Sequence, residues 1–224
     1  MTAARTDAKR SKTGAGLWAA LVWLACLPPA ARAAAPEGRW VSFGILGGSA
    51  QPVASLADYQ WDVRPHAAWG AQALVGRGAW SGGMRVWRSG TTQALGLAGT
   101  PDPRVSTTSF DVVGRARVAS WRGVECLGLA SGGRLAIRYQ PDHVTFDSGA
   151  GPVEVAFEPV WQWVAGAGLG LRAPMRGGWS LGLETERRVF ALDTAHRNGA
   201  SVSYARETFG DWHARLELAR AWGW

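Results

Sequence analysis

The stretch WHARLELARAWGW, residues 212–224, closes the sequence and decides its reading. Every second residue, Trp212, Ala214, Leu216, Leu218, Arg220, Trp222 and Trp224, forms a row that is apolar apart from one arginine. The alternate row, Asp211, His213, Arg215, Glu217, Ala219, Ala221 and Gly223, carries the remaining charges. Side chains of a strand alternate between its two faces, so this pattern predicts a long β-strand between an apolar and a polar environment.

Seven further alternating segments precede it, and together they predict an eight-stranded barrel. They fall near Arg39 to Gly47, His66 to Val75, Trp80 to Ser89, Ser106 to Ala119, Glu125 to Tyr139, Val153 to Leu171 and Trp179 to Ala191. Three connections are short: Gly76 to Ala79, Ser120 to Gly123 and Ala173 to Gly178. Four are longer and rich in Pro, Gly, Ser and Asp, at about 48–65, 90–105, 140–152 and 193–201. Short and long alternate strictly, as an up-and-down barrel with both termini on one side requires. Trp80, Trp121, Trp179, Trp222 and Trp224 fall at the short-turn end, where an interfacial aromatic girdle is expected, and Tyr139, Tyr204 and Phe209 are candidates for the opposite one.

The amino-terminal segment carries an export signal. Arg5, Lys9, Arg10 and Lys12 precede the uncharged run Leu17 to Leu27, and Ala31-Arg32-Ala33 offers a cleavage site. Residues 1–33 thus read as a signal peptide and 34–224 as the barrel domain. The apolar run is too short for a transmembrane helix. Five of the 24 basic and one of the 17 acidic residues lie in that leader, so the remainder carries only +3 and gives no case for nucleic-acid binding. Cys126 alone remains beyond the leader, which leaves no intramolecular disulfide, and Cys26 offers a weak lipobox as an alternative.

The segment GAGLGLRAPMRGGWSLGLE, residues 166–184, together with the terminal strand, resembles the small outer-membrane β-barrels of OmpA/OmpX type. The resemblance implies an all-β, up-and-down antiparallel eight-stranded transmembrane β-barrel in the outer membrane, a monomer surrounded by outer-membrane lipid. In that family the last strand is also recognised by the barrel-assembly machinery. Arg220 departs from an ideal lipid-facing row, but near a strand end its guanidinium can reach the headgroups.

An eight-stranded barrel leaves an interior just wide enough for side chains. The polar rows place Arg85, Asp111, Arg115, Arg117, Arg134, Arg138, Glu154, Glu158, Glu184, Glu186, Arg188, Glu207, Asp211, His213, Arg215 and Glu217 inside. The two signs nearly balance, so these residues are expected to form a salt-bridge network filling the lumen. His213 beside Asp211 could orient an imidazole, with a structural role the simpler expectation. The leading functional expectation is a structural or surface-interaction role, with the loops Val53 to Trp61 and Gln140 to Pro152 as contact candidates.

Three alternatives remain open. A lipid A deacylase resemblance rests on His196-Arg197-Asn198-Gly199 and Glu207, but Asn198 replaces the serine nucleophile, and Ser201 and Ser203 are out of register. A small channel is a second possibility and a secreted lipocalin-like barrel a third. His66 and His143 are isolated, no metal cluster or phosphate-binding glycine motif is present, and no cofactor is expected.

Overall fold

The computed structural model describes residues 38–96, 100–147, 151–198 and 201–223. The leader, Cys26 and Trp224 therefore lie outside the described residues.

Eight antiparallel strands close into a ring: β1 (Arg39–Pro52), β2 (His66–Arg77), β3 (Trp80–Thr92), β4 (Arg104–Trp121), β5 (Val124–Gln140), β8 (Val160–Pro174), β9 (Trp179–Asn198) and β10 (Ser201–Gly223). Neighbours in sequence are neighbours in the sheet, and β1 pairs with β10 to close it. Closure removes every free edge within the barrel wall. The remaining pair, β6 (His143–Asp147) and β7 (Pro152–Ala156), forms a separate hairpin in the β5–β8 connection.

The exterior is apolar and the interior charged, as in a transmembrane barrel. Phe43, Ile45, Trp69, Met84, Phe110, Val112, Leu169, Leu216 and Leu218 all face outward. Arg85, Asp111, Arg115, Glu184, Glu186, Arg188 and Arg215 are almost wholly buried within. A water-soluble barrel places these two sets the other way round. On β10 the row Trp212, Leu216, Leu218, Arg220 and Trp222 points out, while Asp211, His213, Arg215 and Glu217 point in.

The short-turn side is built from tight hairpins. Arg122 and Gly123 both adopt positive φ between β4 and β5, the conformation that suits a two-residue hairpin loop. A β-bulge between Arg117 and Ala119 shifts the register of β4. It turns Val118 and Ala119 outward in succession and so brings Trp121 to the outer face with Trp80, Trp179 and Trp222.

Three departures from the sequence-based expectation stand out. First, β5 faces the other way: Glu125, Leu127, Leu129, Leu135 and Ile137 point inward, and Arg134 and Arg138 point outward. Second, the segment Val153 to Leu171 is broken at Pro159, so Glu154 and Glu158 lie outside the lumen, one on β7 and one beside it. Proline lacks the donor that a continuous ladder needs. Third, the expected loop at 193–201 is largely strand: β9 and β10 pair from Trp179–Arg220 to Asn198–Ser201, while β8 reaches only Phe190 and β1 only Asp211. The residues beyond form a two-stranded ribbon projecting past the barrel wall.

Candidate functional site

Two layers fill the interior: a charged one through most of the barrel and an apolar cap at the long-loop mouth. The charged layer gathers six arginines, Arg85, Arg115, Arg117, Arg172, Arg188 and Arg215, against six carboxylates, Asp111, Glu125, Glu184, Glu186, Asp211 and Glu217. The match in number matters because an unpaired buried charge costs several kcal/mol.

Near the mouth, Arg188 grips Asp211 with both Nε (3.0 Å) and Nη2 (2.7 Å), and its Nη1 donates to Ser109 Oγ at 2.8 Å. His213 Nε2 lies 2.9 Å from Asp211 Oδ2, with its ring tilted against Trp87. One level down, Arg85 bridges Asp111 (3.2 Å) and Glu186 (2.8 Å) across the lumen. Glu186 also meets Arg215 and accepts from Ser131. Below them Arg115 meets Glu184, Glu217 (3.0 Å) and Gln72 (2.8 Å). At the short-turn end Glu125 joins Arg117 (3.0 Å) to Arg172 (2.6 Å), and Arg172 covers the ring of buried Trp40.

The glycines of β8 make room for this layer. A side chain at Gly166 would collide with Glu186 and Ser131, and one at Gly170 would crowd Glu184. Gly76 does the same for Trp40, whose ring lies across its α-carbon.

The mouth is closed by the β1–β2 connection. Its short 3-10 turn, Ala54–Tyr59, lowers Leu56 into the lumen, and Trp61 follows with only 7% of its surface exposed. They pack against Val105, Leu135, Ile137, Val164, Phe190 and Phe209. This bears on the inverted face of β5: its Leu135 and Ile137 serve the apolar cap, so greasiness does not mark its lipid side. The loop is tied down by Val53 N to Gly210 O (3.0 Å), Asp62 N to Thr92 O (2.8 Å) and Gln93 Nε2 to Tyr59 O (2.9 Å). Tyr59 donates to Glu207 Oε2 at 2.6 Å. Trp61 and Tyr59, expected to reach toward a partner, thus belong to the cap. Phe209, a girdle candidate, is buried in it as well. A small cavity of about 20 Å³ beneath the loop is lined by Leu56, Trp61, His66, Thr91, Thr107, Phe190 and Asp211.

Outside the wall, Arg134 lies over the ring of Trp163 at 4.8 Å, and Arg187 over Trp212 at 5.3 Å. Arg220 sits between Trp179 (5.7 Å) and Trp222 (5.2 Å). Such contacts keep a guanidinium at an apolar surface at modest cost.

The structure therefore brings twelve of the sequence-predicted lumen residues to the interior or its mouth: Arg85, Asp111, Arg115, Arg117, Glu184, Glu186, Arg188, Glu207, Asp211, His213, Arg215 and Glu217. It removes Arg134, Arg138, Glu154 and Glu158 and adds Glu125 and Arg172. Glu125 is in phase with Leu127, so the apolar row hides it, and only its place across the β4–β5 hairpin from Arg117 signals the pairing. The side chains of His196 and Asn198 lie outside the described residues. Among the described residues no cluster of His, Cys, Asp or Glu is arranged to hold a metal.

No family model matches the chain, and no curated protein matches it either. Solved structures similar to it include neisserial surface protein A (9% identity, TM-score 0.45, covering 82% of this chain and 96% of that one). Ail, the attachment invasion locus protein of Yersinia pestis, aligns at 13% identity and TM-score 0.40 over 82% of this chain and 99% of that one. The outer membrane protein AlkL, determined in lipid bilayers, aligns at 12% and 0.43 over 86% and 93%. The closed ring, apolar exterior and charged interior of this chain themselves define the architecture of a small eight-stranded outer-membrane barrel.

Proposed function

We propose that the protein is a closed, non-conducting outer-membrane barrel that acts as a scaffold for its outward-projecting hairpins. The observation carrying this reading is the contrast between a filled lumen and the β9–β10 ribbon, in which residues 191–198 and 201–208 run beyond every neighbouring strand. Function in such a scaffold belongs to what the wall carries outward, because nothing of substrate size passes an interior filled with paired side chains. The β6–β7 hairpin, with exposed Asp142 and His143, is the second outward element. A surface-interaction role suits both hairpins, the short turns then facing the periplasm. The leader 1–33 directs export, and β10 presents its outward row to the assembly machinery and outer-membrane lipid as a monomer.

The test combines two measurements on the full chain. Refolded protein in planar bilayers is expected to give no conductance above background. Protease added to intact expressing cells is expected to cut within 191–208 and leave the wall strands protected. Regular single-channel steps, or a ribbon that stays resistant on intact cells, would overturn the proposal.

A further inference from the structure

The outer wall carries a cluster of cations on one side only. Arg88 of β3 lies opposite Thr108 of β4. On the next pair, Phe110 is opposite Arg134, Ser106 opposite Arg138, and Arg104 opposite Gln140. Adjacent strands are about 4.8 Å apart and residues rise about 3.3 Å, so the four arginines occupy a patch of roughly 10 by 20 Å. All four are exposed, and the half-buried hydroxyls of Ser106 and Thr108 lie among them.

No carboxylate of the three strands balances this patch, and Asp102, two residues before Arg104, accepts from Leu95 N at 2.9 Å. The acidic residues of β3, β4 and β5 are Asp111 and Glu125, and both point into the lumen. Among the described residues, none of the four arginines has an ion-pair partner, in contrast to the six inside.

The height of the patch is as informative as its charge. Arg88 is eight residues beyond Trp80 and Arg138 fourteen beyond Val124, both at the short-turn end. With strands tilted by about 45°, the patch begins about 20 Å above the short-turn girdle at Arg88 and ends about 40 Å above it at Arg104, seventeen residues before Trp121. An apolar band of about 25 Å ends within that interval. Phe110, Val112 and Val86 continue the same outward face downward as greasy wall. Trp163, 69% exposed, holds Arg134 at the boundary. A partner that fits has an apolar tail lying along the wall and a multiply anionic head at this level.

Resting on the transmembrane reading above, we propose that the outward face of β3–β5 binds the headgroup phosphates of a membrane lipid in the long-loop-side leaflet. Planar guanidinium forks match phosphate oxygens in pairs, and the hydroxyls supply further donors. Arg187 is on β9, two strands beyond β5, is stacked on Trp212 and lies outside the site.

The experiment uses the full chain refolded into nanodiscs of phosphatidylcholine with one tenth phosphatidic acid, with co-purifying lipid counted by native mass spectrometry. Wild type is expected to retain phosphatidic acid at least fivefold over its bulk share. The variant Arg88→Gln/Arg104→Gln/Arg138→Gln is expected to fall to the bulk share, and Arg187→Gln to behave as wild type. Millimolar free phosphate is expected to leave the retained lipid unchanged; its displacement would mean that the site reads a soluble anion, which overturns the proposal. So would equal retention by wild type and the triple variant, or equal loss in Arg187→Gln. Should the triple variant fail to insert, Arg104→Gln alone, at the strand end, is expected to lower retention at least twofold, and no change there overturns the proposal. A wild-type chain that remains soluble without lipid refutes the transmembrane reading itself, whereas insertion without enrichment refutes only lipid binding.

Discussion

Arginines on the two faces of the barrel wall meet the same problem and solve it differently. Inside, Arg85, Arg115, Arg188 and Arg215 are sealed from water and each is met by carboxylates. Outside, Arg134, Arg187 and Arg220 have aromatic faces instead. The difference follows from what each side allows. A closed lumen gives a guanidinium no route to water, so neutralisation must be built in. At the lipid rim a long side chain reaches the headgroups, and an aromatic ring suffices to hold its stem. Interior charges are therefore a matter of stability and exterior charges a matter of placement.

The comparison is sharpest at Arg188. Arg188→Ala strips Asp211 of its bidentate partner, leaves Ser109 short of a donor and removes the second cation beside Asp111. A loss of about 3–5 kcal/mol is expected, measured by denaturant unfolding of the refolded protein with heat-modifiable gel mobility as the readout. Removing two partners together should be gentler than the single changes imply. Arg85→Met combined with Glu186→Met is expected to be less destabilising than the sum of the two single substitutions by about 1–3 kcal/mol. Strict additivity would show that these charges do not act as a network.

On the outer wall, Arg134→Ala is expected to change stability by no more than about 1 kcal/mol in the same assay. A cost resembling that of Arg188→Ala would erase the distinction between the two faces. The smallest effect belongs to a pair in water. Arg64 donates to Asp62 through its side chain and backbone and holds that carboxyl down at about 2. Because the folded value lies below the ordinary one, the tie contributes above pH 4 and fades as the pH falls toward 2. Arg64→Ala should return Asp62 toward the usual aspartate range in an NMR titration while leaving unfolding nearly unchanged.

These contrasts also explain what could be read from the residues alone. β10 was legible throughout because its inward row is charged and its outward row apolar, so chemistry and geometry agree. β4 was legible up to the bulge. β5 was misread because Leu135 and Ile137 face the capped mouth while Arg134 and Arg138 face the lipid rim, which inverts the usual rule. Only cross-strand register separates the two readings, and register is a property of pairs. Glu154 and Glu158 lie outside the lumen for a local reason, since Pro159 ends the alternating run ahead of β8. A loop of Leu, Tyr and Trp reads equally well as a plug or as a contact surface, so the cap is not legible in the residues alone.

The interior pairs also constrain how the molecule comes together. Arg85 and Glu186 are 101 residues apart, and Arg115 and Glu217 are 102 apart. They join β3 and β4 to β9 and β10, strands that do not adjoin in the sheet. Such partners can meet only when the ribbon of strands has curled into a ring. Until the β1–β10 seam is shut, pairs between adjoining strands such as Arg188–Asp211 and Arg85–Asp111 can form, but Arg85 lacks Glu186 and Arg115 lacks Glu217. Closure thus completes the neutralisation of Arg85 and Arg115, and these cross-lumen pairs favour the shut ring over an open sheet.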